Sequence, residues 1–89
     1  MTDSRPDPAL RLAAQALAVV LDLQADDVRA DSPLDDLGAD AIARIQWADV
    51  AEELALEQGT PIAIDDAALQ DAATLGDLAE HLRSCGVAS

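Results

Sequence analysis

A chain of 89 residues holds one modest core and no second one. Eighteen Asp and Glu against five Arg give a net charge of −13. That balance disfavours nucleic acid, where clustered cations must meet phosphates, and an anionic membrane surface, and it suits a partner with a basic surface.

The single cysteine, Cys85, excludes an internal disulfide and fits a reducing cytoplasm. Ala and Leu dominate, Phe and Tyr are absent, and there is one Trp, which predicts helices packed through small aliphatic side chains. Residues 1–6 are polar and predict a disordered N-terminus, 7–86 a single domain, and 87–89 a C-terminal tail.

Asp7 followed by Pro8 predicts a helix start, an N-cap with proline in the first turn. Leu10, Ala14, Leu17 and Leu21 form one stripe at helical spacing; Leu12, Ala16, Val19 and Leu23 form a second. Two stripes imply a helix covered over much of its circumference, as in a bundle. The run 9–23 is too short to span a bilayer, and Arg11 and Gln15 interrupt it, so no membrane segment or secretion signal is expected. Residues 24–39 form a long connection in which Val28, Leu34 and Leu37 are spaced as apolar pins, and a loop this long in so small a domain has a function.

Asp40 predicts the N-cap of a second helix running to about Leu56, with Gly59 beyond its end. At 100° per residue, Ala43, Trp47, Val50, Ala51 and Leu54 share a core face. Asp49, Glu52 and Glu53 lie towards the other side, together with Ile42 and Ile45. Two isoleucines beside three acids form either a docking patch, apolar at its centre and charged at its rim, or a surface covered by the long connection. Residues 60–64 read as an extended link. Asp65 or Asp66 caps a short turn through Leu69, and Thr74 with Asp77 resembles a capping box ahead of Leu75, Leu78 and Leu82, with Gly86 at the end. The expected fold is all-α: three main helices and one short one in a four-helix bundle with a long first loop.

Metal and nucleophile chemistry find little support. Asp31, Asp35, Asp36 and Asp40 lack the alternating ligand positions and terminal Glu of a calcium loop. His81 and Cys85 are four apart, but structural zinc needs about four ligands. No residue set supports a stand-alone enzyme.

The stretch LGADAI at 37–42 resembles the attachment motif of acyl carrier proteins, Leu-Gly-x-Asp-Ser-Leu/Ile, and the likeness extends over nearly the whole chain. The bundle expected from the periodicity is that family's fold. The resemblance implies a carrier, not an enzyme, on which a serine bears 4′-phosphopantetheine and the arm's thiol holds acyl groups. It places the attachment position at Ala41, with Asp40 and Gly38 beside it. Partner contacts fall on Asp36, Ile42, Ile45, Asp49, Glu52 and Glu53. The implied partners are basic-surfaced enzymes such as a phosphopantetheinyl transferase, a ketosynthase or an acyltransferase, and the expected state is a freestanding cytoplasmic monomer.

The departure is the attachment residue itself. Ala41 has no hydroxyl, and Ser4, Ser32, Ser84 and Ser89 lie outside the motif. Either a serine at 41 has been replaced by engineering, or the domain has lost carriage naturally and persists as a noncovalent interaction module. The Gly-Ala-Asp before the site resembles fatty-acid and polyketide carriers, and Ile42 those of specialised-metabolite and antibiotic pathways. Two readings of Trp47 stand. The ring fills the core in place of a leucine; or, as a likeness to β-branching polyketide carriers implies, it marks the carrier for branching enzymes and belongs with the docking residues. Ala51 and Glu52 depart from that subfamily's helix pattern.

Overall fold

The computed structural model describes residues 8–87. Pro8 sits in the first turn of α1 (Pro8–Leu21), where its missing N–H leaves no helical bond unmade. Asp7, its expected cap, and the expected disordered segment 1–6 lie outside the described residues. Ala9, Leu12, Ala13, Ala14, Ala16 and Leu17 are buried, drawing on both predicted stripes. Val19 departs from its stripe and faces solvent. Asp22 takes a left-handed conformation at the helix end, φ 57°, which its short polar side chain tolerates better than most.

The first connection is better built than periodicity predicts. A 3₁₀ turn at Ala25–Asp27 leads to buried Val28. A single helical turn, α2 (Leu34–Leu37), follows, with Leu34 fully buried and Leu37 half-buried. The three apolar pins are therefore real, but one turn of helix carries no period by which a sequence could announce it. Three backbone bonds clamp this connection to the start of the last helix and the residue pair before it: Leu34 N–H to the Ala73 carbonyl (2.9 Å), Leu75 N–H to the Ser32 carbonyl (3.1 Å) and Gly76 N–H to the Ala30 carbonyl (2.7 Å). The last contact needs glycine, because a Cβ at Gly76 would lie 2.9 Å from the Ala30 oxygen.

The remaining helices start where polar side chains cap them. The Asp40 carboxylate accepts from Ala43 N–H at 2.8 Å and opens α3 (Ala41–Glu57). Asp65 accepts from Ala67 N–H and opens α4 (Asp66–Gln70). Thr74 and Asp77 make the reciprocal capping box of α5 (Leu75–Cys85), which Gly86 ends at φ 115°. Packing continues past that glycine: Val87 is buried and its N–H reaches the Leu82 carbonyl, so it belongs to the bundle and not to a tail.

The result is an all-α bundle in which α1 packs against both α3 and α5, and α4 against α3. Trp47 is fully buried at the α1–α3 contact, and its indole N–H donates to the Ala13 carbonyl at 3.0 Å. The alanines at 9, 13, 16, 48, 51 and 55 around it are buried, and small side chains let neighbouring backbones approach closely. This corrects the docking reading of Trp47. The ring lies inside the bundle and offers no surface to a partner. The core face of α3 is also rotated from expectation: Ala48, Ala55 and Arg44 are buried, whereas Val50 and Leu54 are only half-buried. α3 is covered by α4 as well as by α1, so its buried sector is wider on the Arg44 side.

Trp47→Ala removes a large buried ring and its hydrogen bond, and is expected to destabilise the fold by about 3–5 kcal/mol in urea denaturation followed by circular dichroism. A second expectation concerns pH. Asp77 holds its carboxyl below the ordinary 3.8, first because Ala73 N–H donates to it and then because Thr74 N–H does. The contribution is present above the unfolded value and disappears as pH falls through the lower folded one. The stability gap between the parent and Asp77→Ala is therefore full at neutral pH and closes below about pH 3.8, as thermal melts across that range can show.

Candidate attachment site and docking face

The segment 34–41 turns sharply so that α3 begins at its end. Gly38 takes φ 87°, a left-handed conformation that closes α2 and that a side-chain-bearing residue adopts with strain. Ala39 is buried, and its N–H bonds the Leu34 carbonyl at 3.0 Å. Asp40 is extended and directs its carboxylate to the free end of α3. Ala41 is the first residue of that helix and is exposed. The motif residues Gly38, Asp40 and Ala41 thus meet at one helix start, where a side chain at 41 is accessible.

Beside it the outer side of α3 carries Ile42, 67% exposed, and Ile45, 43% exposed. The long connection does not cover them. Asp49 and Glu53 are exposed on α3, and Asp36 is exposed on α2. Glu52 is half-buried and accepts from Ile64 N–H at 3.0 Å, which ties the 60–64 link to α3. Its charge therefore has a structural partner as well as a place in the acidic face. Asp49, Glu52 and Glu53 also rim an open groove of about 330 Å³ whose apolar wall is Leu56, Pro61 and Ile62.

One residue at the site was not anticipated from sequence. Arg44 is only 7% exposed. Its Nε donates to the Ala39 carbonyl at 3.0 Å; its Nη1 donates to the carbonyls of Leu69 (2.8 Å), Gln70 (3.2 Å) and Ala72 (2.8 Å). Those last three lie at and beyond the end of α4, where backbone donors run short, although the Leu69 carbonyl also accepts from Ala72 N–H at 3.2 Å. A guanidinium, with five donors in a rigid fork, satisfies several at once. The Asp35 contact at 3.4 Å adds little, since that carboxylate is 94% exposed. A signal was available: Arg44 is the one basic residue of α3 and stands among small residues that periodicity puts inside.

His81 and Cys85 do meet, with Sγ 3.8 Å from Nε2. Both are occupied in pinning the link to α5: Asp65 N–H donates to His81 Nε2 at 3.4 Å and the Cys85 thiol to the Ala63 carbonyl at 3.3 Å. No group of three or more His, Cys, Asp or Glu among the described residues is arranged to hold a metal ion, and the aspartates at 31, 35, 36 and 40 do not converge on one. None of the described helices is long and apolar enough to cross a membrane.

The family described as "phosphopantetheine attachment site" matches residues 11–82, from α1 into α5. The chain belongs to this family of carrier domains, whose prosthetic group is 4′-phosphopantetheine and whose domains are typically non-catalytic. No curated protein matches the chain. The residues present do not fit covalent attachment of that group. Position 41 offers a methyl where the bond needs an oxygen, the Ser32 hydroxyl accepts from Arg29 N–H in the first connection, and that of Ser84 donates to the His81 carbonyl on α5.

Arg44→Ala leaves several carbonyls without a donor and is expected to destabilise the domain by about 2–4 kcal/mol. Asp40→Ala removes only one cap and is expected to lower stability by about 1 kcal/mol. Paired denaturant titrations measure both.

Proposed function

We infer that the chain is an acyl-carrier domain for fatty-acid-type or polyketide-type intermediates, held in a form that cannot be loaded because an engineered alanine stands at 41 in place of serine. The observation that carries this reading is local. Gly38, Asp40 and the start of α3 retain the geometry of an attachment site around an exposed position, although the residue there cannot be modified. A site that had lost its use would have no need of the left-handed glycine and the accessible first residue together. Alanine is well suited to the first turn of a helix, so the substitution leaves the fold intact. Gly-Ala-Asp at 38–40 followed by Ile42 supports the polyketide and specialised-metabolite side of the family.

The domain spans residues 7–86, extended to Val87 by the packing described above, and it is not itself an enzyme. Its partners are basic-surfaced biosynthetic enzymes, a phosphopantetheinyl transferase first among them, with ketosynthases and acyltransferases acting on the cargo. They meet Ile42 and Ile45 at the centre and Asp36, Asp49, Glu53 and, less fully, Glu52 at the rim. Charge steering then speeds encounter, while the two isoleucines supply the desolvated contact. The second reading, a naturally serine-less module that only docks, uses the same surface for noncovalent partners and has given up recognition by a transferase.

Intact mass decides between loss of a single group and loss of recognition. Ala41→Ser, incubated with coenzyme A and a broad-specificity phosphopantetheinyl transferase, is expected to gain one phosphopantetheine arm, while the parent chain gains none. Failure of both to gain mass would turn the reading to the docking module. On the Ala41→Ser background, Ile42→Asp is expected to raise the transferase KM about tenfold or more, a change of about 1.4 kcal/mol, with the melting temperature unchanged.

A further inference from the structure

Arg44 stands between two elements that would otherwise part beside position 41. A shallow groove of about 360 Å³ runs between the start of α3 and the end of α4, lined by Asp35, Asp40, Ala41, Arg44, Gln70 and Ala73 among others. Ala41 is exposed and is among the residues that line it, so a group attached there begins at this groove. The guanidinium crosses from α3 to the carbonyls of Leu69, Gln70 and Ala72, with Ala39 bonded on the near side. Trp47, one helical turn further along α3, is fully buried.

We propose that Arg44 is a specificity-determining latch: it closes the α3–α4 seam against alkyl chains, so that the class of cargo suited to position 41 is short or polar acyl groups kept outside the bundle. An alkyl chain entering the seam must separate the guanidinium from its acceptors. It brings no donor for the carbonyls and no acceptor for the cation, and buried polar groups left in that state are strongly penalised. A hydroxyl- or amide-bearing group suffers no such conflict. It can stay at the groove's rim, where Asp35 and the Gln70 side chain are exposed. The latch is a property of the bundle and acts whatever the residue at 41.

The test anchors the chains chemically, so that a transferase which fails to recognise the surface does not obscure the result. Ala41→Cys in a Cys85→Ser background is converted to its methyl and octyl mixed disulfides with the corresponding methanethiosulfonates. Melting temperature and Trp47 emission are then compared, with Arg44 present and in Arg44→Ala. With Arg44 present, the octyl form is expected to show the emission of the methyl form and to melt within about 1 °C of it. With Arg44→Ala, the octyl form is expected to shift Trp47 emission and to melt about 5 °C or more above its methyl counterpart. Comparing two chains within one variant cancels any general loss of stability. If Arg44→Ala does not fold, Arg44→Leu takes its place, and the same octyl–methyl difference is expected. An octyl-induced emission shift with Arg44 intact overturns the proposal. So does the absence of any octyl–methyl difference in a folded Arg44 variant.

Discussion

Four backbone carbonyls, of Ala39, Leu69, Gln70 and Ala72, converge on one buried guanidinium. Each lies at or beside a helix end, where backbone donors run short, although the Leu69 carbonyl also accepts from Ala72 N–H. The domain needs such ends. A turn must deliver position 41 to the start of α3, and α4 is only five residues long. Arg44 lets both ends be buried against α3 without leaving polar groups unsatisfied, and among the described residues no buried side-chain polar atom lacks a partner. The attachment loop and the short helix are therefore coupled through one side chain, and the site's geometry is inseparable from the seam beside it.

The rest of the core shows how a chain with one aromatic residue can close a bundle. Buried alanines bring α1, α3 and α5 near one another, and leucines at 12, 17, 75, 78 and 82 fill the space between. Trp47 is fully buried at the α1–α3 contact and reaches the Ala13 carbonyl, so even this large ring leaves no buried donor idle. A core of this kind has little slack. Small side chains hold their positions through backbone proximity, and losing one large residue leaves a void that its neighbours cannot fill.

The surface follows a different logic. A charge of −13 on so small a domain opposes compaction, yet among the described residues 21 of the 22 buried ones are apolar, Arg44 being the exception, and no acid is buried. That leaves the acids free to act at a distance, while Ile42 and Ile45 stand exposed beside position 41. On the proposed function this division of labour has a use: charge would steer a basic-surfaced partner to the face, and the apolar pair would supply the desolvated contact.

Much of the fold was legible in sequence because its signals are local. Asp40, Asp65 and the Thr74–Asp77 pair mark helix starts, since each cap lies within three residues of the N–H that it satisfies. Gly59 and Gly86 mark ends through a conformation other residues avoid. The absence of a hydroxyl at Ala41, within the motif at 37–42, follows from residue identity alone. Tertiary structure decided what depends on residues distant in the chain. It put Trp47 inside, divided Glu52 between the link and the acidic face, turned Val19 outwards and buried Arg44 against carbonyls 25 to 28 residues away. No local period encodes those outcomes. They are set by which helix ends happen to meet, and by the requirement that every polar group buried there finds a partner.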